Sequence, residues 1–165
     1  MKAIKSLLPW TAIIDGDDLV VMNIMATCWG GGHDNGDDGT TESGIPNDGT
    51  DLTLMGVALP IRSIEDATRG SPLAFPGPHI PWETQVNVWS SQAPGKVIAC
   101  KLIDNGPNVL LYPTHALDLN PNVVLQFLPK ADRTRVANYW SGSSFCYRII
   151  GVASLVPAEW IVELP

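Results

Sequence analysis

Two aspartates, Asp104 and Asp118, stand in a largely apolar run between residues 97 and 129, where a charged side chain is costly to desolvate. Asp104 follows the apolar stretch VIACKLI and precedes an Asn-Gly-Pro turn, whereas Asp118 lies between Leu117 and Leu119. A carboxyl group beside an apolar wall or a second carboxylate has a raised pKa, which suits general acid–base catalysis. The two acids are therefore the first candidates for a catalytic site. A turn-stabilising role for Asp104, which can accept backbone N–H groups, is the structural alternative.

The elements around these acids can be predicted from side-chain periodicity. If the segment around Asp118 is extended, Leu117 and Leu119 point into the core and Asp118 points to the opposite face, toward a cleft or water. Asn120 can cap a helix whose first position suits Pro121, so a short helix is expected directly after this strand. Asp104 is expected at the end of a strand. His115 precedes the Asp118 strand and is a candidate to orient that carboxylate.

The rest of the chain predicts many short strands joined by turns. Its 15 glycines and 14 prolines favour β-structure over long helices. Residues 11–29 predict a hairpin around an Asp-Gly turn, and Val86 and Val88 share one face of a half-buried strand. The strand that follows the one containing Val86 and Val88 is expected to be its hairpin partner. Residues 131–140 predict a second helix, and further strands are predicted at 52–61, 144–155 and 159–164. At 165 residues with 45% hydrophobic side chains, the chain predicts one domain over residues 1–165.

Two long segments lack any hydrophobic period, and long loops in compact domains are usually functional or disordered. The first, residues 30–51, is rich in Gly, Asp, Asn and Thr; the second, 62–81, contains one predicted helical turn at 63–68. The motif HDNGDDG in the first loop suggests calcium, but EF-hand spacing from Asp34 places Gly36 and Ile45 at ligand positions. We therefore predict a solvated acidic loop and no metal or cofactor, with His33 or Asp34 lining a groove as the alternative.

Charge and cysteine content exclude several classes of function. A net charge of −7 argues against nucleic acid as a partner, because such affinity comes largely from Lys and Arg. Three cysteines without CxxC spacing predict neither a zinc site nor a full disulfide framework. Two alternatives are compatible with the sequence: a bridge between Cys28 and Cys100, or three buried thiols. The N-terminal segment is a poor signal peptide, and no apolar run is long enough for a membrane helix.

Five short motifs occur in an order that resembles a known family. They are GTTESG, GVALP, IPWETQVNV, KLIDNGP and HALDL, within about residues 26–128. This order resembles the rare lipoprotein A family and, more loosely, the catalytic barrels of membrane-bound lytic transglycosylase A and of expansins. The resemblance implies a mostly β fold, a six-stranded double-psi β-barrel with one or two short helices and long loops. The N-terminal hairpin and the C-terminal strands would then be extensions of the barrel.

The resemblance also assigns roles to individual residues. Asp104 and Asp118 resemble the acids of the family's Asp-x-Gly-Pro turn and Asp-Leu strand, and Thr41, Ser43 and Gly44 resemble its substrate-groove loop. The chain departs from the family pattern in three places. It has Asn105 where the family usually carries Arg, and Gly56 before VALP in place of a His, for which only His79 could substitute. It also has an insertion at about 61–78. Trp29, Trp82 and Trp89 are candidate stacking platforms for sugar rings, with core packing as the alternative.

Two functions follow from the resemblance. The first is cleavage of peptidoglycan glycan strands by a lytic transglycosylase, in which one carboxyl protonates the glycosidic oxygen and then accepts a proton from the sugar's own 6-hydroxyl. If the two acids flanked a water molecule, inverting hydrolysis would be expected instead. The second is a non-catalytic barrel that binds peptidoglycan or another polysaccharide, or a structural part of a phage tail or secretion apparatus with virion or apparatus partners. Either would act at the cell wall, in a periplasmic, extracellular or virion-associated setting, and without a membrane partner.

Overall fold

The computed structural model describes residues 1–4, 12–60, 80–107, 114–156 and 158–165. Within this part of the chain, β-strands dominate, with two short helices and two 3₁₀ turns. The strands are β1 (Lys2–Ile4), β2 (Ala12–Asp15), β3 (Asp18–Cys28), β4 (Gly56–Leu59), β5 (Gln85–Ser90), β6 (Val97–Asn105), β7 (His115–Leu119), β8 (Ser141–Ile149) and β9 (Ile161–Glu163). The helices are α1 (Pro121–Phe127) and α2 (Arg133–Tyr139), and the 3₁₀ turns are Ala153–Leu155 and Ala158–Trp160.

Six of the strands close into a barrel in the order β3-β7-β4-β6-β5-β8. Closure occurs because β3 pairs with β7 on one side and with β8 on the other. The β3–β7 and β4–β6 pairs are parallel and the remaining pairs are antiparallel, so the barrel is mixed. The predicted mostly β fold with a six-stranded barrel, short helices and long loops is confirmed, and the barrel is compatible with the double-psi type.

Strands β2, β1 and β9 continue the sheet outward from β3. The predicted N-terminal hairpin is present: Asp15 pairs with Asp18, which leaves Gly16 and Asp17 as a two-residue turn. Strand β1 pairs with both β2 and β9, so the two chain ends meet at the edge of the sheet.

The hydrophobic core fills the barrel, and its side chains come from alternate positions of the strands. Val86 and Val88 are fully buried, as their spacing predicts, and β5 pairs with β6 as its hairpin partner. Leu117 and Leu119 are also fully buried, whereas Asp118 between them is only partly buried. The alternation predicted around Asp118 is therefore confirmed.

Both predicted helices form and begin at polar caps. The Asn120 side chain accepts a hydrogen bond from the Val123 N–H, with Pro121 at the first position of α1. The Asp132 side chain accepts the Arg135 N–H in the same way at the start of α2. Residues 30–51 form an irregular loop, as predicted. The helical turn predicted at 63–68 lies outside the described residues, as does His79.

Candidate functional site

Asp104 and Asp118 lie at the same level of the barrel wall, on the two sides of one alanine. Ala58 of β4 pairs with Asp104 of β6 on one side and with Asp118 of β7 on the other. Residues in register on neighbouring strands point to the same face, so both carboxylates leave the same outer surface of the barrel. Their Cα atoms are two strand spacings apart, about 10 Å. Ala58 between them is only 2% exposed, so the space over it is covered.

The orientation of Asp104 depends on a β-bulge. Val57 pairs with Leu102 and Ala58 with Asp104, so Ile103 is an extra residue in β6. Leu102 points into the core, and unbroken alternation would turn Asp104 inward as well. The bulge rotates the strand by one position and brings the carboxylate to the outer face.

On the side opposite Ala58, Asp118 is held by a hydroxyl group. Thr27 of β3 pairs in register with Asp118, and its Oγ1 donates a hydrogen bond to Asp118 Oδ1. Gly106 lies against the second carboxylate oxygen: a Cβ atom built on it would be 3.3 Å from Asp118 Oδ2. The carboxylate is therefore confined between the Thr27 hydroxyl and a residue without a side chain.

Burial raises the pKa of Asp118 from 3.8 to about 6. The hydrogen bond from Thr27 acts in the opposite direction because it stabilises the charged form, while the negative charges of Asp104 and Asp34 raise this pKa further. A carboxyl group in this range is substantially protonated at mildly acidic pH and can both donate and accept a proton.

Asp104 has a different environment. Its Oδ1 accepts the Asn105 N–H at 2.9 Å and the Glu42 N–H at 3.1 Å. Backbone donors of this kind stabilise a charged carboxylate. The turn-stabilising role considered for Asp104 is thus present, and the same side chain also lines an open trough.

The predicted groove loop docks beside Asp104. The Ser43 N–H donates to the Ile103 carbonyl at 3.2 Å, which fixes the loop to β6. Thr41 Oγ1 lies 3.0 Å from Ser43 Oγ and donates to the Ile45 carbonyl at 2.7 Å, and the Gly44 N–H closes the turn onto Thr41. Thr41, Ser43 and Gly44 therefore come together with Asp104, whereas their contact with a substrate stays a prediction.

The acidic loop supplies the opposite wall of the trough. Asp34 Oδ2 accepts the Gly30 N–H at 3.0 Å, and burial raises the pKa of this carboxyl, helped by the charge of Asp37. The His33 carbonyl accepts the side-chain amide of Asn138 at 2.6 Å, so the loop rests on α2. The trough has a volume of about 500 Å³ and is lined by Asp34, Asn35, Gly36, Asp37, Asp38, Thr40 and Asp104.

A buried amide cluster ties the far end of this loop to the Asp118 strand. Asn120 and Asn122 each donate from Nδ2 to the Leu54 carbonyl at 2.8 Å, and Asn122 also donates to the Asp51 carbonyl at 3.1 Å. Asn120 Nδ2 is 3.4 Å from Asn47 Oδ1. The three asparagines are 1–5% exposed, so their amides replace water for the loop carbonyls. Sequence reasoning identified Asn120 as a cap but missed this second role.

Within the described part of the chain, the predicted tryptophans and histidines are not among the residues that line the acidic trough. Trp29 is partly buried after β3, and its indole N–H has no hydrogen-bond partner in the described residues. Trp82 packs against the core next to β5, and neither indole lines the acidic trough. His33 is exposed and His115 begins β7, partly buried. The stacking roles of the tryptophans and the orienting role of His115 stay predictions.

All three cysteines are free thiols, so the structure contains no Cys28–Cys100 bridge. Burial raises the pKa of the Cys28 and Cys100 thiols, which disfavours their reactive thiolate forms. Among the residues the structure describes, no group of three or more His, Cys, Asp or Glu is arranged to hold a metal ion. In the same part of the chain, no helix is long and apolar enough to cross a membrane.

Comparison with known proteins adds no family assignment: no family model and no curated protein matches the chain. The chemistry of the site therefore follows from its own geometry. Asp104 lines the open polar trough, whereas Asp118, the carboxyl group with the raised pKa, is not among the residues that line it. A carboxyl group with a raised pKa and a second carboxylate two strands away suit proton transfer to a polar substrate.

Proposed function

We propose that the protein cleaves the glycan strands of peptidoglycan as a lytic transglycosylase, with Asp118 as its general acid and base. The observation that carries this proposal is the register of Asp104 and Asp118 on both sides of Ala58, together with the pKa of about 6 at Asp118. One acid is then protonated often enough to act as a donor, while the other provides a fixed negative charge.

In the proposed reaction Asp118 first donates one proton to the substrate and then accepts another from it. The Asp118 carboxyl donates its proton to the glycosidic oxygen as the bond from that oxygen to the anomeric carbon breaks. The Asp104 carboxylate stabilises the positive charge that develops at the anomeric carbon. The Asp118 carboxylate then accepts the proton of the sugar's 6-hydroxyl, whose oxygen attacks the anomeric carbon. The products are a free 4-hydroxyl and a 1,6-anhydro-muramoyl end, and Asp118 is again protonated without consumption of water.

Two further features support the proposal. The closed six-stranded barrel is compatible with the double-psi barrels that the sequence motifs resemble. Thr41, Ser43 and Gly44, the residues that resemble the family's groove loop, are hydrogen-bonded into a turn beside Asp104. The trough contains hydroxyl, amide and carboxylate groups that can hydrogen-bond sugar hydroxyls.

A second candidate is a barrel that binds peptidoglycan or another polysaccharide without cutting it, or one that serves as a structural part of a phage tail or secretion apparatus. The observation in its favour is that both acids already have partners within the protein. Asp104 accepts two backbone N–H groups, and Asp118 accepts the Thr27 hydroxyl. Under either proposal the protein works at the cell wall, in a periplasmic, extracellular or virion-associated setting.

The proposals are separated by incubating purified sacculi with the protein and analysing the soluble products by mass spectrometry. Lytic transglycosylase activity gives 1,6-anhydro-muramoyl ends, whereas hydrolysis gives reducing ends that are heavier by one water. Asp118→Asn should abolish release, while Asp17→Asn, an exposed change in the β2–β3 turn, should not. Binding to sacculi without release by the wild type would support the second candidate.

A further inference from the structure

A second recess lies on the same barrel wall, beside α2. It is a groove of about 390 Å³ with both charged and aromatic side chains in its lining, which consists of Leu128, Ala131, Asp132, Arg135, Val136, Tyr139, Trp140 and Ser141. Tyr139 is 78% exposed and Leu128 is 41% exposed, and both line the same groove. An exposed aromatic ring in a groove with polar neighbours is typical of a ligand site.

The groove continues the line of residues that contains the two acids. Ser141, the first residue of β8, pairs with Thr27 of β3, and Thr27 pairs with Asp118. Ser141 therefore lies two strands from Asp118, about 10 Å away along the same level of the wall. Helix α2 also touches the trough loop, because the Asn35 N–H donates to Asn138 Oδ1 at 2.9 Å. The groove and the two acids are therefore neighbours on one wall of the barrel.

The principal ring of the groove is fixed in place. Trp140 meets Phe145 edge-on, with 5.6 Å between ring centroids, and Phe145 meets Phe127 in the same way at 5.3 Å. Gly142 makes room for the indole, since a Cβ atom there would be 2.6 Å from a Trp140 ring carbon. A ring that is already held in position loses little freedom when a ligand packs on it.

The charge of the groove differs from that of the acidic trough. The Arg135 guanidinium has no hydrogen-bond or ion-pair partner among the described residues, although the Arg135 backbone N–H is bound by the Asp132 cap. A free guanidinium presents paired N–H donors that match a carboxylate. Asp132 also lines the groove, and its Oδ1 accepts the Arg135 N–H at the start of α2. The aromatic faces and the unpaired guanidinium therefore favour a ligand that has an apolar face and an anionic group.

We propose that the groove binds a sugar ring with a carboxylate-bearing substituent, on the same glycan strand that the acids contact. The C–H face of the ring packs on Tyr139 and Trp140, and Arg135 pairs with the carboxylate. The acidic trough repels this substituent and the groove attracts it, so the two recesses together set the position of the strand over Asp118. The inference rests on the proposed function for the identity of the strand.

The test measures binding of two disaccharides to the Asp118→Asn protein, which removes the proposed acid. One probe is N-acetylglucosaminyl-N-acetylmuramic acid, whose lactyl group carries a carboxylate, and the other is neutral N,N′-diacetylchitobiose. Amide chemical shifts of residues 139–142 locate the binding. We expect the acidic probe to bind about tenfold more tightly than N,N′-diacetylchitobiose. Adding Arg135→Gln should remove that preference, and adding Tyr139→Ala should weaken both probes about tenfold.

Matched controls are Lys130→Gln, which removes a nearby exposed charge, and Met22→Ala, which removes an exposed apolar side chain elsewhere. Neither should change binding. Equal affinity for the two probes, or shifts that exclude residues 139–142, would overturn the inference. So would concentration-dependent dimers that Tyr139→Ala abolishes, because the groove would then hold a second copy of the chain. Cleavage of sacculi by the wild type is scored separately: groove binding without cleavage contradicts only the proposed function, and cleavage without groove binding contradicts only this inference.

Discussion

The substitution Asp118→Asn tests whether this carboxylate is held in a position that disfavours its charge. Asparagine has nearly the same shape and keeps an oxygen that can accept the Thr27 hydroxyl, so the packing around Leu117 and Leu119 is retained. What the substitution removes is the ionisation. Any pH-dependent difference in stability between the two proteins therefore reports the Asp118 proton.

The size of this pH-dependent difference in stability follows from the raised pKa of Asp118. Below 3.8 the acid is protonated in both the folded and the unfolded state, so its ionisation contributes nothing. Between 3.8 and about 6 the unfolded state releases the proton while the folded state retains it, and the folded protein loses stability as the pH rises. At 1.36 kcal/mol per pH unit, the full loss above this range is about 2 to 3 kcal/mol.

Urea unfolding of both proteins, monitored by tryptophan fluorescence from about pH 3.5 to about pH 7.5, measures this difference. The free energy of unfolding of the wild type should fall relative to Asp118→Asn by about 2 to 3 kcal/mol across that interval. Asp17→Asn, in the exposed β2–β3 turn, is the matched control and should show no such change. A difference that is constant with pH, or one that grows in favour of the wild type, would refute the description of Asp118 as a desolvated acid.

Three other changes test the environment of the site. Thr27→Val removes the hydrogen bond that lowers the pKa of Asp118, so the alkaline limb of the pH–rate profile for sacculus cleavage should move to higher pH. Asp104→Asn removes a negative charge that raises the pKa of Asp118, so the alkaline limb should move to lower pH and the maximal rate should fall at least tenfold. An alkaline limb that is unchanged in both variants would contradict the assignment of Asp118 as the acid. Asn122→Ala removes one of two donors to the Leu54 carbonyl and one of two to the Asp51 carbonyl, which keeps the Leu54 N–H at 3.4 Å. Urea unfolding should therefore show a loss of about 1 to 2 kcal/mol in the free energy of unfolding, and a loss well below 1 kcal/mol would contradict the amide cluster.

Much of the fold could be predicted because local patterns decide it. The alternation of Val86 and Val88 with polar neighbours places β5, and the same rule places Asp118 on the outer face between two core leucines. The Asn120-Pro121 pair marks the start of α1 through a side-chain cap. These features depend on residues close together in the chain, so the sequence contains the necessary information.

The arrangement of the site depends on distant pairings that local patterns do not contain. The parallel pairing of β4 with β6, and of β3 with β7, brings Ala58 and Thr27 beside the acids from positions 46 and 91 residues away, respectively. The bulge at Ile103 reverses the face that simple alternation assigns to Asp104. The second role of Asn122 likewise depends on loop carbonyls about 70 residues earlier.

The most direct test of the central claim is the mass spectrum of the material that the wild-type protein releases from purified sacculi. If Asp118 donates a proton to the glycosidic oxygen and then accepts one from the 6-hydroxyl of the same substrate, the soluble fragments end in 1,6-anhydro-muramoyl groups. Folded Asp118→Asn protein should then release no fragments. Fragments with reducing ends would contradict the transglycosylase reaction, and equal release by Asp118→Asn would contradict the assignment of Asp118 as the catalytic acid.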